Sequence, residues 1–161
     1  MKKVFFIGFN ETLFRHFAIV CAKYELEAVF PTSREDVIVK NNGPFKDLLS
    51  EMRAIFSSDI KRVDSAEYVI ANLNIFNGIC TNDTSFTVGY AFAKHKRVVG
   101  HAGATLFDLG ESFMDQTPCS AEEKQAYQPA SRMVAGATSV IIKGSIEACL
   151  EALFEEPTKK E

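Results

Sequence analysis

Five short apolar segments, each followed by a stretch of helical pattern, restrict the possible folds of this chain more than any other feature. The segments begin at Val4, Glu27, Tyr68, Arg97 and Val140. Short apolar runs of this kind are typical of strands buried on both faces of a parallel sheet. Because right-handed crossovers place helices on both faces, the pattern predicts a three-layer, doubly wound α/β domain with a five-stranded parallel sheet, flavodoxin-like or Rossmann-like.

The segments between the predicted strands are expected to form helices and loops. Helices are predicted at about 12–24, from residue 45 onward, at 84–95, at 121–135 and after Ser145, which is the expected N-cap of the last one. The segments 31–44 and 102–118 are predicted as loops. Apolar residues recur every three or four positions along the helix after residue 45 and predict a buried face. They are Phe45, Leu48, Leu49, Met52, Ile55, Phe56, Ile60 and Val63.

Length and charge indicate one domain and exclude several function classes. With 161 residues, we expect a single domain over 1–156 and a flexible tail at 157–161. The 21 acidic and 18 basic residues include no basic cluster for nucleic acid. The apolar runs are far shorter than a membrane span, and no signal peptide follows Met1. A cytoplasmic protein is therefore predicted, with neither nucleic-acid nor membrane partners.

The four cysteines, at positions 21, 80, 119 and 149, are widely separated. No Cys-x-x-Cys pair is present and no histidine lies at a metal-ligand spacing from them. We therefore expect buried, reduced thiols and no metal or redox cofactor.

Doubly wound sheets bind ligands at the carboxyl ends of their strands, near the point where the winding reverses. This rule directs attention to Gly8, Phe9 and Asn10, to the segment 72–83, and to the residues after Gly100. His101 is the histidine expected nearest the rim of such a pocket. Gly8-Phe9-Asn10 contains too few glycines for a dinucleotide-binding fingerprint, and no Walker pattern is present.

Asp59 is the most informative polar residue because it falls on or beside the predicted buried face of its helix. Ile55, Phe56 and Val63 lie three or four residues away from it. Burying a carboxylate is costly unless it is paired or protonated. Asp59 is therefore either a structural residue paired with Arg62 or a general acid or base at a pocket wall.

Two further polar clusters accompany helix ends. Residues 81–85, Thr-Asn-Asp-Thr-Ser, open a predicted helix, where hydroxyls and free backbone N–H groups can hold a phosphate or a sugar hydroxyl. Helix capping by Asp83 or Thr84 explains the same residues equally well. Ser131 and Arg132 lie just before the end of a predicted helix that terminates at Gly136. This segment is either an ordinary helix C-terminus or a place where Ser131 and Arg132 contact a ligand.

The order of these features resembles the nucleoside 2-deoxyribosyltransferase family and the related 2'-deoxynucleoside 5'-monophosphate N-hydrolases. The segment Asp59–Leu73 is similar to the family's helix-to-strand segment, in which an Asp is followed by Ala-Asp-hydrophobic. The segment Asp83–Gly100 resembles the family's Gly-Thr-Ala-Phe-Glu-Leu-Gly-Tyr-Ala, which is followed by Gly-Lys-Pro-Val and a strand. Residues 131–137 resemble the Ser-x-Met-x-x-Gly-Ala of the hydrolases.

The resemblance implies cleavage of an N-glycosidic bond by a nucleophilic Glu, with an Asp that assists proton transfer at the base. Asp59 matches that Asp, but Thr87 stands where the family has its Glu. A threonine hydroxyl with no adjacent base is a poor nucleophile and cannot stabilise an oxocarbenium-like charge. Asp83, four residues earlier, is a minor candidate for the missing carboxylate. The implied catalytic set is thus Asp59, Thr87 and Asp83.

The resemblance also implies how substrate is held. Thr81 takes the place of an Asp that binds the 5'-hydroxyl in the transferases and of a Ser in the hydrolases. Ser131 matches a phosphate-binding Ser that the hydrolases contribute from a neighbouring subunit. The implied ligand is a nucleoside or nucleoside 5'-monophosphate. Hydroxyls in place of a carboxylate remove repulsion toward a phosphate, so they fit the nucleotide better. The expected substrate-binding residues are Gly8, Phe9, Thr81, Asn82, Ser85, Phe86, Ser131 and Met133.

The resemblance further implies a homodimer or larger homo-oligomer with its site near the subunit interface, and it implies no cofactor.

The sequence leaves three functional alternatives. The first is an enzyme that cleaves the N-glycosidic bond or transfers the (deoxy)ribosyl group. The second is a catalytically impaired protein on the same fold that binds or senses a nucleotide. A structural domain with a vestigial pocket is the third alternative. The Thr at position 87 separates the first two, because it removes the family's nucleophile.

Overall fold

The computed structural model describes residues 1–73, 82–102 and 132–155, and these form a five-stranded parallel sheet with helices on both faces. The strands are β1 (Lys2–Ile7), β2 (Leu26–Val29), β3 (Tyr68–Asn72), β4 (Arg97–Ala102) and β5 (Val140–Lys143). The described helices are α1 (Phe14–Lys23, after a 3-10 turn at Glu11–Leu13), α2 (Arg34–Lys40), α3 (Leu48–Ser65), α4 (Asn82–Ala93), α5 (Arg132–Gly136) and α6 (Ile146–Ala152). The predicted fold class is confirmed.

The strand order is β2-β1-β3-β4-β5, and every neighbouring pair is parallel. The chain leaves β1 toward β2 on one side and then returns to β3 on the other side. The winding therefore reverses between β1 and β3, whose carboxyl ends are Ile7 and Asn72. In folds with this strand order, the crevice at the reversal point is where ligands bind.

Two apolar cores lie on the two faces of the sheet, and β1 contributes to both by alternation. Val4 and Phe6 face α1 and α6, whereas Phe5 and Ile7 face α3, α4 and α5. All four side chains are buried. This alternation with a period of two residues explains why the part of β1 from Val4 to Ile7 is uninterruptedly apolar.

The buried thiols confirm part of the cysteine prediction. Cys21 on α1 and Cys149 on α6 are free and buried in the same core. Burial raises the pKa of Cys21 to about 11 and that of Cys149 to about 12, because a thiolate is poorly solvated there. Both thiols are therefore protonated near neutral pH. Cys80 and Cys119 lie outside the described residues.

The loop prediction for residues 31–44 is wrong over Arg34–Lys40, which forms α2. Ser33 and Asp36 make a capping box, in which the Ser33 hydroxyl accepts from the Asp36 N–H at 3.1 Å and the Asp36 carboxylate from the Ser33 N–H at 3.4 Å. These bonds satisfy backbone N–H groups at the N-terminus of α2 that have no partner within the helix. The buried side chain of Val37 packs α2 against the rest of the domain. The nearby Pro31, Asn42 and Gly43 obscured this start signal.

The predicted buried face of α3 is also wrong over its first half. Val63 is buried, but Leu48, Leu49, Met52 and Phe56 are between 54% and 69% exposed. The helix has 18 residues and is about 27 Å long, whereas a strand of 6 residues spans about 20 Å. The residue of α3 that is buried in the core on the sheet is Val63 of its last turns, whereas the exposed apolar residues lie in its first half.

The remaining boundaries differ from prediction only at element ends. Ser145 caps α6 as expected, since its hydroxyl accepts from the Ala148 N–H at 3.3 Å. The segment 103–131, which includes most of the predicted helix 121–135, lies outside the described residues, as does the predicted tail 157–161. Within the described ranges, no helix combines the length and apolarity that a bilayer crossing requires.

Candidate functional site

The ends of β1 and β3 meet the first turn of α4 at Gly8. Asn72 donates from Nδ2 to the Gly8 carbonyl at 2.9 Å. Gly8 has φ +82°, and a Cβ added there would lie 2.6 Å from the Thr84 hydroxyl oxygen and 3.2 Å from the Asn72 carbonyl. Gly8 is therefore required both by its left-handed backbone and by the close approach of α4. The three elements form a closely packed edge at the point where the winding reverses.

Helix α4 presents its N-terminus at this edge. Its buried residues Thr84, Val88 and Ala91 face the sheet. Asn82 and Asp83 are exposed in the first turn, and Ser85 is half-buried. Asp83 and Thr84 both lie in the first turn of the described helix range Asn82–Ala93. A carboxylate in the first turn is favoured by the partial positive charge of the helix N-terminus.

Thr87 lies beside the buried face of α4, on the flank turned toward α3. It is half-buried, and Tyr90 on the same flank donates its hydroxyl to the Asp64 carboxylate of α3 at 2.9 Å. Asp83 precedes Thr87 by four residues and shares that flank. Phe86 points outward: it is 51% exposed, and its ring centroid lies 5.6 Å from that of Phe56 on α3.

The carboxylate of Asp59 is half-buried on α3 and is attached to the segment that follows β2. Its Oδ1 accepts a hydrogen bond from the backbone N–H of Thr32 at 2.7 Å. The Thr32 side chain donates to the Ser58 hydroxyl at 2.8 Å. Two consecutive residues of α3 therefore hold Thr32, a buried residue that directly precedes the N-cap of α2.

Arg62, the ion-pair partner considered for Asp59 in the sequence, has other partners. Its guanidinium donates to the Phe30 carbonyl at 2.6 Å and lies 3.5 Å from the Asp36 carboxylate. Asp59 accepts instead from the backbone N–H of Thr32, so its structural role is that of a loop anchor and not that of an ion-pair partner. An anchored carboxylate also has a fixed orientation, which a proton-transfer group requires.

Phe9 lies on the opposite face of the sheet from α3 and α4. Its half-buried ring packs 5.0 Å from that of Phe17 and 5.4 Å from the imidazole of His101, measured between centroids. His101 Nε2 lies 2.9 Å from the Gly144 carbonyl oxygen. Burial lowers the pKa of His101, and the bond to Gly144 only partly offsets this effect.

The structure thus distributes the candidate residues over three places. Gly8 and the first turn of α4 meet at the reversal point, Asp59 lies on α3 beside Thr32, and Phe9 lies with His101. Met133 is 84% exposed on α5, while Thr81 and Ser131 lie outside the described residues.

Sequence reasoning missed Thr32, which holds the segment after β2 against α3, and it gave no specific role at the edge to Asn72 of the segment 72–83 or to Thr84 beyond helix capping. Asn72 carries a usable signal, since it is a polar residue at the end of a buried strand. Thr32 carries no such signal, because its partners are 26 and 27 residues away in the chain.

Comparison with protein families finds a match to the nucleoside 2-deoxyribosyltransferase family over residues 3–106. This range includes Gly8, Asp59, Asn72, Asp83 and Thr87. A search of curated proteins finds no match to the sequence.

Several solved structures are similar to the fold. A conserved protein from Enterococcus faecalis V583 has a TM-score of 0.57 at 15% identity, covering 94% of this chain and 96% of its own. A 2-deoxyribosyltransferase from Bacillus psychrosaccharolyticus has a TM-score of 0.57 at 12% identity, with coverages of 96% and 92%. A CMP N-glycosidase from Clostridium botulinum has a TM-score of 0.48 at 11% identity, with coverages of 94% and 98%. At these identities the first two likenesses show a shared fold.

Proposed function

Because the chain belongs to the nucleoside 2-deoxyribosyltransferase family, we propose that it acts on the N-glycosidic bond of a nucleoside or nucleoside 5'-monophosphate. The reaction is hydrolysis or (deoxy)ribosyl transfer. The observation that carries the proposal is the half-buried Asp59 carboxylate, held in a fixed orientation by the Thr32 N–H at 2.7 Å. It lies on α3, next to the helix whose N-terminus opens at the reversal point of the sheet.

In this proposal Asp59 handles the proton of the base. The bond between C1' and the base nitrogen breaks, and the base leaves with the electron pair and receives a proton. Water or the nitrogen of a second base then bonds to C1' and loses its own proton. A positioned carboxyl group that transfers the proton contributes roughly 10²- to 10⁴-fold in such reactions.

The nucleophile is where this chain departs from its family. Thr87 lies on the α3 flank of α4, and its hydroxyl can orient a water molecule or a sugar hydroxyl but cannot supply negative charge. Asp83 is the carboxylate on the same flank, one turn earlier. We therefore assign Thr87 to positioning at the sugar and Asp83 to electrostatic stabilisation near C1'.

The same substitution favours a second candidate function, a nucleotide-binding or sensing protein that has lost catalysis. In that case the edge built by Gly8, Asn72 and the first turn of α4 holds the ligand. Asn82, Ser85 and the N–H groups of the turn provide donors to a sugar or phosphate, together with Thr81 and Ser131. Binding without release of free base would distinguish this function from the first.

Oligomerisation belongs to the same proposal. Phe56 and Phe86 are both more than half exposed although their rings touch, and Leu49 and Met52 extend this apolar surface along α3. Contiguous exposed apolar surface marks an interaction site. We propose that a second copy of the chain covers it, with Met133 of α5 nearby in the assembly. A cytoplasmic location completes the proposal.

The test combines thermal stabilisation with product detection. The protein is heated with and without each 2'-deoxynucleoside 5'-monophosphate, and free base is measured by chromatography. Stabilisation with release supports the enzyme, and stabilisation without release supports the binding protein. The Thr87→Glu variant should raise base release at least about 100-fold, whereas Thr87→Gln, which has the same length and no charge, should not. Absence of both binding and release in all three proteins would overturn the proposal.

A further inference from the structure

The imidazole of His101 lies at the carboxyl end of β4, next to the edge described above, and the proposed reaction does not use it. His101 pairs in register with Asn72 of β3, and its carbonyl accepts from the Leu73 N–H at 2.9 Å. On the other side, the ring of Phe9, which follows Gly8, lies 5.4 Å away. His101 therefore borders the ends of both strands between which the winding reverses.

The contact to Gly144 determines which ring nitrogen carries the proton. A carbonyl oxygen can only accept, so Nε2, 2.9 Å from the Gly144 oxygen, must be the protonated nitrogen. In the neutral ring, Nδ1 is then an acceptor. Nδ1 is buried and has no hydrogen-bond partner among the described residues. A buried acceptor without a partner is costly, and a bound molecule with an N–H or O–H donor would relieve that cost.

The imidazole packs with Phe9 on the face of the sheet opposite α3 and α4, at the carboxyl end of β4. The two ring nitrogens point to different sides of the imidazole, and Nε2 points toward Gly144 after β5. Because Nδ1 is shielded from water, a ligand must displace a neighbouring group to reach it, and the half-buried Phe9 ring is such a group.

We propose that Nδ1 of His101 accepts a hydrogen bond from a donor group of the bound nucleoside or nucleotide, which makes His101 a further ligand-contacting residue. This inference rests on the proposed function. It names the chemistry of the contact, an amino group of the base or a hydroxyl of the sugar. Because the neutral imidazole carries no charge, the contact does not attract the phosphate. It selects ligands that have a hydrogen-bond donor at the position facing Nδ1.

Two substitutions separate this role from a structural one. In His101→Gln the side-chain amide reproduces the Nε2 donor to Gly144 and leaves no acceptor at Nδ1. In His101→Asn the amide oxygen takes the place of Nδ1 and the donor to Gly144 is lost. The first variant should keep its thermal stability and lose ligand affinity, and the second should lose stability and keep affinity.

The measurement is calorimetric titration of the full-length protein with 2'-deoxynucleoside 5'-monophosphates, together with melting curves without ligand. We expect Kd to rise about tenfold in His101→Gln and to stay within about threefold in His101→Asn. The tenfold effect should disappear with the 2',3'-dideoxy forms if a sugar hydroxyl is the donor. It should disappear with a base that lacks an amino group if that group is the donor.

Two outcomes would overturn the inference while leaving the proposed function intact. They are unchanged affinity in both variants, and a loss of affinity that parallels the loss of stability. If the native protein binds none of the nucleotides, the proposed function fails first and the inference fails with it.

Discussion

Replacing Asp59 tests its anchoring and its chemical role together. In Asp59→Ala the Thr32 N–H loses its acceptor at 2.7 Å, and Thr32 is a buried residue. Hydrogen bonds to charged groups stabilise by about 1.5–3 kcal/mol, so we expect a loss of about 2 kcal/mol. In Asp59→Asn a neutral amide oxygen remains to accept, and a neutral bond has roughly half that strength. The expected loss is then about 1 kcal/mol.

Thermal and urea unfolding of both variants measure these differences. For a domain of this size, Tm falls by about 2–4 °C per kcal/mol, so we expect decreases of about 4–8 °C for Asp59→Ala and about 2–4 °C for Asp59→Asn. Ser58→Ala is the matched control, because it removes the Thr32 hydroxyl bond at 2.8 Å and leaves the carboxylate in place. It should cost about 1 kcal/mol.

Activity separates the two roles of Asp59. Base release or nucleotide affinity should fall strongly in Asp59→Asn and remain near the native level in Ser58→Ala, although the two variants have similar stability. If both variants retain native function, Asp59 is only a loop anchor. If Asp59→Ala is as stable as the native protein, the bond to Thr32 does not hold the loop and the structural argument is wrong.

Further predictions concern the glycine at the edge and the buried histidine. Gly8→Ala should lower stability by at least about 2 kcal/mol in urea unfolding, because φ is +82° and the added Cβ lies 2.6 Å from the Thr84 hydroxyl. Gly136→Ala, where a Cβ meets no atom of the described residues within 4 Å, should change stability by less than about 0.5 kcal/mol, and equal effects would refute the packing argument. Burial lowers the pKa of His101 from its ordinary 6.5, so the unfolded chain binds a proton that the folded chain does not, and stability should fall as the pH drops below about 6.5. Unfolding at pH 5.5 and 7.5 should show a weaker pH dependence in His101→Gln, and an unchanged dependence would contradict the assignment.

The fold was predictable because its strands carry a strong local signal. The apolar segments at Val4 and Tyr68 are buried on both faces of the sheet, and such strands contain few polar residues. Helix α2 was missed because its capping box at Ser33 lies among residues typical of loops. The face of α3 was mispredicted because periodicity shows which residues are apolar but not whether another element covers them. Exposed Phe56 is the clearest case.

The candidate site was predictable only in part. Asp59 stood out because a carboxylate at a buried spacing is unusual, and Thr87 because the resemblance expects a Glu at its position. Neither signal contained the contact between Asp59 and Thr32, which joins residues 27 positions apart. The tautomer of His101 likewise depends on Gly144, 43 positions away.

The sequence by itself determined the parallel α/β architecture and the family, because apolar runs and motifs are local properties of the chain. Only the tertiary structure decided that Gly8, Asn72 and Thr84 form one edge, that Asp59 is held by a backbone N–H, and that Nδ1 of His101 is a buried acceptor. These are properties of distances between residues remote in sequence, and such distances are established when the helices pack against the twisted sheet.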